Sequence, residues 1–395
     1  MFKPFLEDFT IKNKALKDIY YYILKNGPVT KLELMDTIQL KQTTVKDKME
    51  ELLSKKYIKE NGHGKSTGGR PPVLYTIEPR SAFIIGIQIS RLETNVILVD
   101  MQLATIEQES FLLSSLHTPS IVLSKIKEII LSFIDKYEIP FEKLLGIGIG
   151  SIGPLDRKQG IIHQMESPLA PGWENIRIAE ILSAEIPVKI MLENLVETAV
   201  LAEANHFSIP AGDILYCISG RGFGCGIMSN GELIRGKNGD TARFGHMIIE
   251  VNGRECSCGK QGCLIAYTSP YAIIENMRKN NPKMNSFDTA FENAQIDDVI
   301  AFLKQEKSMV ESYVMESAYY LGIGIANMVT MYQSEYVILE GPLLSGYPDY
   351  YEKTVESARN FLDRREKITF SRGKLGEKTP ALGAALLIQD SYFSI

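Results

Sequence analysis

The stretch ISGRGFGCGIMSNGELIRG, residues 218–236, is the sequence feature that most constrains the possible folds of this chain. It places Gly220, Gly222, Gly224 and Gly226 at every second position between two apolar runs. Glycine lets a backbone lie close to a ligand, and successive N–H groups can then point at a phosphate. The stretch therefore has the composition of a nucleotide-binding loop, and other residues must decide whether it still serves a nucleotide.

The chain of 395 residues is long enough for two or three domains, and its 45% apolar content supports packed cores. No run of about 18 apolar residues predicts a membrane span. The first residues, MFKPFLEDFTIKNKALKDIY, also lack the apolar segment of a signal peptide. We therefore expect a soluble protein of the cytoplasm that has no membrane partner.

Charge is distributed unevenly along the chain. Residues 1–80 carry 15 Lys+Arg against 10 Asp+Glu, whereas residues 81–395 carry 28 against 38. Nucleic acid repels an acidic surface, and basic side chains bind it by releasing phosphate counterions. Any contact with DNA is therefore expected within the first 80 residues.

Three short helices are predicted near the start of the chain. The first covers Lys12 to Lys25, and the second begins at Thr30, which can form a capping box with Glu33. The third follows Leu40, and its apolar residues leave other faces to polar side chains. Those expected to contact DNA are Gln42, Thr43, Thr44 and Lys46. Three such helices with a tight turn before the third are typical of a helix-turn-helix.

The next segment, YIKENGHGKSTGGRPPVLYTIEP, predicts a strand, a glycine-rich turn and a second strand. The domain is therefore expected to be a winged helix-turn-helix. Gly68 and Gly69 let the backbone at the turn lie low in a groove, between the basic residues Lys65 and Arg70. The planar guanidinium of Arg70 suits a narrow minor groove of double-stranded DNA. The alternative is a surface hairpin with an incidental arginine.

One imidazole and three thiols follow the pattern H-x9-C-x-C-x4-C. They belong to His246, Cys256, Cys258 and Cys263. Such a set can complete a closed tetrahedral zinc shell, and Gly259 and Gly262 allow the chain to curl around the ion. Because no position is left for water, the predicted Zn²⁺ is structural, with reduced thiols lacking a metal as the alternative.

Several separated motifs occur in one order along the chain. They are GGRPP in the wing, GIGIGSIGPLDRKQGII (146–162), PGWEN (171–175), LENLVETAVLAE (192–203), the glycine-rich stretch, FGHMIIEVNGRECSCGKQGC (244–263), VILEGPLL (337–344) and LGAALL (382–387). In this order they resemble the ROK family, which combines sugar kinases with sugar-responsive transcriptional repressors.

The resemblance implies an α/β fold, with two actin-like, ribonuclease-H-like lobes closing on a ligand behind the DNA-binding domain. We place the three domains at residues 1–80, 81–190 and 191–395, and expect the last helix to return to the first lobe. Independently, the apolar runs AFIIGIQIS, NVILVD and LLGIGIG predict the strands of a layered α/β body.

The same resemblance makes kinase activity improbable. A ROK kinase has a carboxylate and a Gly-Gly-Thr turn after its first strand, where this chain has Gln88 and then Ser-Arg-Leu. The general base of the kinases falls on Leu195, which cannot accept a proton, and losing such a base slows a reaction by ~10²–10⁴. Arg221 stands where the kinases have a threonine near the phosphates. We therefore expect no kinase activity and interpret the glycine-rich stretch as scaffold.

The family's sugar pocket implies Gly153, Asn194, Arg243 and His246 as ligand-binding residues here. Leu195, Arg243 and Ile265 occupy three positions that are acidic in the family. Because arginine pairs well with phosphate and carboxylate groups, the ligand is expected to be an anionic sugar derivative. The alternatives are a pocket that no longer binds, or an Arg243 that only makes an ion pair within the protein.

These features predict a transcriptional regulator, most simply a repressor of carbohydrate-utilisation genes, that binds a palindromic operator as a homodimer or a dimer of dimers. One alternative is control by a protein partner, with a vestigial ligand site. Another is a sugar kinase that carries a regulatory DNA-binding domain.

Overall fold

The computed structural model describes residues 2–8, 10–65, 70–165, 171–207, 209, 212–236, 241–280, 296–363, 365 and 367–393. Internal contacts divide the chain into two units. Unit 1 comprises residues 1–151, 156–193 and 381–395, and unit 2 comprises residues 152–155 and 194–380. A further domain boundary near residue 80 stays a prediction. None of the described helices is long and apolar enough to cross a membrane.

Unit 1 begins with four helices and three short strands. In chain order they are α1 (Phe2–Glu7), α2 (Ile11–Asn26), β1 (Val29–Thr30), α3 (Lys31–Ile38), α4 (Gln42–Ser54), β2 (Ile58–His63) and β3 (Val73–Ile77). The strands pair antiparallel in the order β1-β3-β2. The predicted capping box is present, because Thr30 Oγ1 accepts from the N–H of Glu33 and the Glu33 carboxylate accepts from the N–H of Thr30. The arrangement is that of a winged helix-turn-helix.

Helix α1 precedes the first helix that the sequence predicts. Its Phe2 and Phe5 are buried and pack against Tyr20 of α2 and Tyr57. The side chain of Asn13 donates a hydrogen bond of 2.8 Å to the carbonyl of Phe5, which satisfies one of the acceptors that this short helix leaves open. The packing therefore fixes α1 on the helix-turn-helix.

The remainder of unit 1 is built on a five-stranded sheet. Its further elements are β4 (Phe83–Ile89), β5 (Glu93–Asp100), β6 (Thr105–Leu112), α5 (Pro119–Lys136), β7 (Leu144–Ser151), β8 (Leu155–Asp156), β9 (Ile161–Gln164), β10 (Glu174–Ile176), α6 (Ile178–Ser183) and β11 (Lys189–Asn194). The strand order is β11-β7-β4-β5-β6, with β4 parallel to β7 and antiparallel to β5. The three apolar runs predicted as strands are β4, β5 and β7.

Unit 2 contains a second five-stranded sheet. The elements after β11 are α7 (Leu195–His206), β12 (Ile214–Ser219), β13 (Phe223–Ser229), β14 (Glu232–Leu233), α8 (Ile265–Thr268), α9 (Pro270–Asn280), α10 (Ile296–Gln305), α11 (Lys307–Tyr332), β15 (Tyr336–Glu340), α12 (Pro342–Gly346), α13 (Pro348–Phe361), β16 (Thr369–Arg372) and α14 (Thr379–Asp390). The strand order is β14-β13-β12-β15-β16. Apolar residues of α7 cover one face of the sheet, and those of α11 and α13 cover the other.

The last helix, α14, lies on the sheet of unit 1. A Cβ atom at Gly86 would lie 2.1 Å from the carbonyl oxygen of Ala381, and one at Gly148 would lie 1.8 Å from that of Ala384. The hydroxyl of Tyr392, just beyond the helix, donates a 2.8 Å hydrogen bond to the carbonyl of Leu145. The helix backbone can approach the strands this closely only because the two strand positions are glycine.

The end of the chain also contacts the helix-turn-helix. Phe393 stacks on the rings of Tyr20 and Tyr21, with centroid distances of 5.8 and 5.0 Å. Lys25 forms a 3.0 Å ion pair with Asp390. Residues at the two ends of the chain therefore share one packing surface in unit 1.

The glycine-rich stretch forms strands of unit 2. Residues 220–222 make the turn between β12 and β13, and Gly224 and Gly226 lie within β13. A Cβ atom at Gly226 would lie 2.6 Å from the carbonyl oxygen of Val196 in α7. At this position glycine is therefore needed for close packing of a helix on a strand.

We predict that Gly148→Ala destabilises unit 1, because the added methyl group would collide with helix backbone rather than with a side chain that can move. Overpacking of this kind costs ~1–3 kcal/mol of unfolding free energy. Trp173, the only tryptophan, is buried in unit 1, so its fluorescence in a urea titration reports on that unit. Gly346→Ala is the control, because a Cβ there meets nothing within 4 Å. Equal urea midpoints for both variants would contradict the prediction.

Candidate metal centre and nucleic-acid interface

The structure brings the four predicted metal ligands together in unit 2. The ligand atoms of His246, Cys256, Cys258 and Cys263 all lie within 4.8 Å of one another. His246 Nδ1 is 3.5 Å from Cys256 Sγ, and the Sγ atoms of Cys258 and Cys263 are 3.7 Å apart. In a tetrahedral zinc shell, bonds of about 2.3 Å to sulfur and about 2.0 Å to nitrogen put neighbouring ligand atoms about 3.5–3.8 Å apart. The cluster therefore has the size of a metal shell.

Two glycines shape the loop that carries the thiols. Gly259 and Gly262 have φ angles of +82° and +77°. A Cβ atom at Gly262 would lie 1.7 Å from the carbonyl oxygen of Glu250, so a side chain is excluded there. The N–H of Cys256 donates to the carbonyl of Lys260 at 2.8 Å. This geometry agrees with the expectation that the two glycines let the chain curl around an ion.

A network of side chains holds the loop from outside. The N–H of Arg254 donates to the hydroxyl of Tyr267 at 2.8 Å, and that hydroxyl donates to the carboxylate of Glu250. The guanidinium of Arg254 lies over the Tyr267 ring and forms a 2.7 Å ion pair with Glu316. Burial, together with the hydrogen bond to Glu250, raises the pKa of Tyr267 to about 12. The sequence pattern missed this network, because no spacing distinguishes its members from other residues of loops and helices.

The thiols differ in how readily they ionise. The backbone N–H of Lys260 donates to Cys258 and lowers the pKa of its thiol, whereas burial raises the pKa of Cys263 to about 12. A metal ion that bound here would have to displace a proton from Cys263, so its apparent affinity would increase with pH. Coordination by all four groups would leave no position on the ion for a reacting water.

The predicted ligand-binding residues all belong to unit 2. Asn194 is buried and caps α7, where its side chain accepts from the N–H of Val196 at 2.9 Å. Arg243 is exposed on the short 3₁₀ segment that ends at His246, and it already interacts within the protein. Gly153 lies in the short segment 152–155. These positions remain predictions for a ligand site.

Leu195 belongs to the apolar core of unit 2. It is 8% exposed and lies in one cluster with Val200, Tyr216 and Ile338. The Leu195 side chain thus packs between helix and sheet. In unit 1, Gln88 is likewise buried, and its amide donates to Glu93 at 3.3 Å.

The predicted DNA-contacting residues occupy exposed parts of the winged helix-turn-helix. Gln42, Thr43 and Lys46 are exposed on α4, and Thr44 is half-buried. On the wing, Lys65 and Arg70 are also exposed. Gly68 and Gly69 lie outside the described residues. The side chains of these four α4 residues make no hydrogen bond or ion pair with any residue the structure describes, so their polar groups are available to a partner.

The family model described as ROK family matches residues 84–391. The xylose repressor of Bacillus subtilis is 26% identical over 388 residues, which cover 98% of this chain and 97% of that protein. A crystal structure of a ROK family transcriptional regulator, a homolog of the E. coli MLC protein, superposes with a TM-score of 0.76 at 18% identity over 95% of this chain and 96% of that one. The ROK hexokinase of Thermus thermophilus matches with a TM-score of 0.65 at 24% identity, over 77% of this chain and 97% of the hexokinase.

These likenesses confirm the predicted α/β fold of the ROK kinases and regulators, and the match covers well over half of the sequence. The chain belongs to the ROK family.

Proposed function

We propose that this protein is a sequence-specific transcriptional regulator, and specifically a repressor of carbohydrate-utilisation genes. The observation that carries the proposal is the winged helix-turn-helix, whose α4 exposes Gln42, Thr43 and Lys46 with no side-chain partner among the described residues. The Bacillus subtilis relative, which matches almost the whole chain, is named a xylose repressor. Such a regulator would act on the chromosome, which places it in the cytoplasm.

We propose further that two or four copies bind a palindromic operator. A helix-turn-helix dimer reads two half-sites about 34–36 Å apart, so the symmetry of the operator mirrors that of the protein. The net positive charge of residues 1–80 favours the duplex, while the acidic remainder of the chain is kept away from it.

The chain is proposed to lack kinase activity. A proton acceptor is required where Leu195 packs into the core, and no movement of a leucine side chain can supply one. Gln88 and Arg221 likewise replace the groups that would hold magnesium and phosphate. A kinase that also regulates transcription is therefore disfavoured on these residues, although ROK hexokinases share the fold.

The regulatory signal is proposed to be an anionic sugar derivative bound in unit 2 near Asn194, Arg243 and His246, with Gly153 contributing backbone. Coordination through Nδ1 would fix the His246 ring and leave Nε2 free to contact a ligand. One observation favours control by a protein partner instead: Arg243 already interacts within the protein. Binding experiments with small ligands separate these two modes.

We propose that the metal in the His/Cys cluster is a structural Zn²⁺. Three thiolates with one imidazole, at tetrahedral spacing, are a donor set that zinc prefers. The ion would lock the loop after His246 and so hold the proposed ligand residues in place.

We predict that Arg70→Ala weakens binding to an operator by ~1–3 kcal/mol if the guanidinium makes a specific groove contact. Gel-shift titrations at fixed salt measure this change. Arg177→Ala removes an equal charge from an exposed side chain of unit 1 outside the winged domain and is the matched control. If both variants bind as tightly as the unmodified protein, Arg70 is not in the interface.

We predict that Cys258→Ser loses the metal and destabilises the protein, because metal binding is coupled to folding. Elemental analysis should give one zinc per chain for the unmodified protein and for Ser257→Ala, an exposed neighbour that offers no ligand atom to the cluster. A folded, unmodified protein with no zinc and freely titratable thiols would refute the assignment.

We predict that a thermal-shift screen finds stabilisation by sugar phosphates or sugar acids rather than by neutral sugars. A ligand at ~100 times its Kd adds about 2.7 kcal/mol. Arg243→Glu should abolish the response to anions, because a charge-assisted contact is worth ~1.5–3 kcal/mol. Tight binding of a neutral sugar with anionic analogues ignored would contradict the role of Arg243, and no stabilisation by any of them would favour the protein partner.

A further inference from the structure

Helix α4 carries an acidic residue on the face that is proposed to meet DNA. Val45, Met49 and Leu52 are buried, which fixes the opposite face as the exposed one. Gln42, Thr43, Lys46 and Asp47 are exposed in the first two turns. Asp47 follows Thr43 by four residues, so the two side chains lie on neighbouring turns of one stripe, about 6 Å apart along the axis.

Asp47 differs from the nearby acidic residue Glu51 in having no cationic partner among the residues that the structure describes. Glu51 accepts from Lys48 and Lys55, and these hydrogen bonds lower the pKa of its carboxyl group. Asp47 makes no hydrogen bond or ion pair with any described residue. The oxygens of its carboxylate are therefore available to accept hydrogen bonds from a partner, on a face where DNA phosphates would repel a negative charge.

Among the four bases, cytosine offers a carboxylate the most favourable edge in the major groove. Guanine presents the acceptors N7 and O6, thymine presents O4, and adenine presents the acceptor N7 beside its N6 amino donor. Each of these acceptors repels a carboxylate, and on adenine the repulsion by N7 offsets the attraction of N6. Cytosine presents the N4 amino donor without an acceptor on its own edge.

We infer that Asp47 is a specificity-determining residue that selects cytosine at one position of each operator half-site by accepting a hydrogen bond from N4. The inference rests on the proposed function, since it assumes that α4 enters the major groove. Its charge also repels the phosphates of duplexes that lack the matching base, so Asp47 lowers affinity for random DNA.

The variants Asp47→Asn and Asp47→Ala separate base reading from charge. Asparagine keeps the shape but can both donate and accept, which fits N7 and N6 of adenine. Asp47→Asn should therefore change the preferred base from cytosine to adenine, by about tenfold in relative affinity, the scale of one good base contact. Asp47→Ala should lose the preference and bind random duplex more tightly.

Glu50→Gln is the matched control. Glu50 is also exposed and has no partner among the described residues, but it lies one turn farther from the start of α4. Removing its charge should raise affinity for all duplexes without changing the base profile. Melting curves of the four proteins establish that each is folded.

The experiment is selection of bound duplexes from a randomised pool by the full-length proteins, followed by competition titrations. A cytosine preference that Asp47→Asn converts to adenine, and that Glu50→Gln retains, supports the inference. Operator binding with the same base profile in all four proteins overturns the role of Asp47 while leaving the proposed function intact. Failure of the unmodified protein to select any sequence overturns both.

Discussion

The close approach of α14 to the glycines of β4 and β7 is the constraint on which unit 1 depends. Because Gly86 and Gly148 have no side chains, the carbonyl groups of Ala381 and Ala384 can lie almost on the strand backbone. This position of α14 puts Phe393 against the tyrosines of α2. The packing of the last helix on the sheet thus also determines what supports α2 of the winged helix-turn-helix.

Unit 2 also contains glycines that let one backbone segment pack directly on another. The absence of a side chain at Gly226 lets the start of α7 lie on β13, and Gly262 lets the metal loop fold back on Glu250. Both are close backbone approaches rather than flexible joints. Within the glycine-rich stretch, Gly226 thus serves the packing of a helix on a strand.

Features that depend on nearby residues were accessible from the sequence. The capping box of Thr30 and Glu33 and the cluster of predicted metal ligands are each formed within one continuous stretch of sequence, and the structure contains both. Features that depend on residues far apart in the sequence could not be predicted from it. Nothing in the local pattern of the glycine-rich stretch reveals that Val196 packs on Gly226. Similarly, α1 gains its stability from rings that lie far along the chain, and the network around Tyr267 has no sequence signature.

The position of α14 has a consequence for synthesis of the protein on the ribosome. The strands of the unit 1 sheet are complete at β11, yet the helix that covers their glycine face follows about 185 residues later. At a synthesis rate of about 5–20 residues per second, the ribosome needs roughly 10–40 s to add these residues. The glycine face of the sheet stays uncovered for that time. During this interval a nearly finished sheet exposes apolar strands, so nascent chains of this architecture depend on protection from aggregation until their final residues emerge.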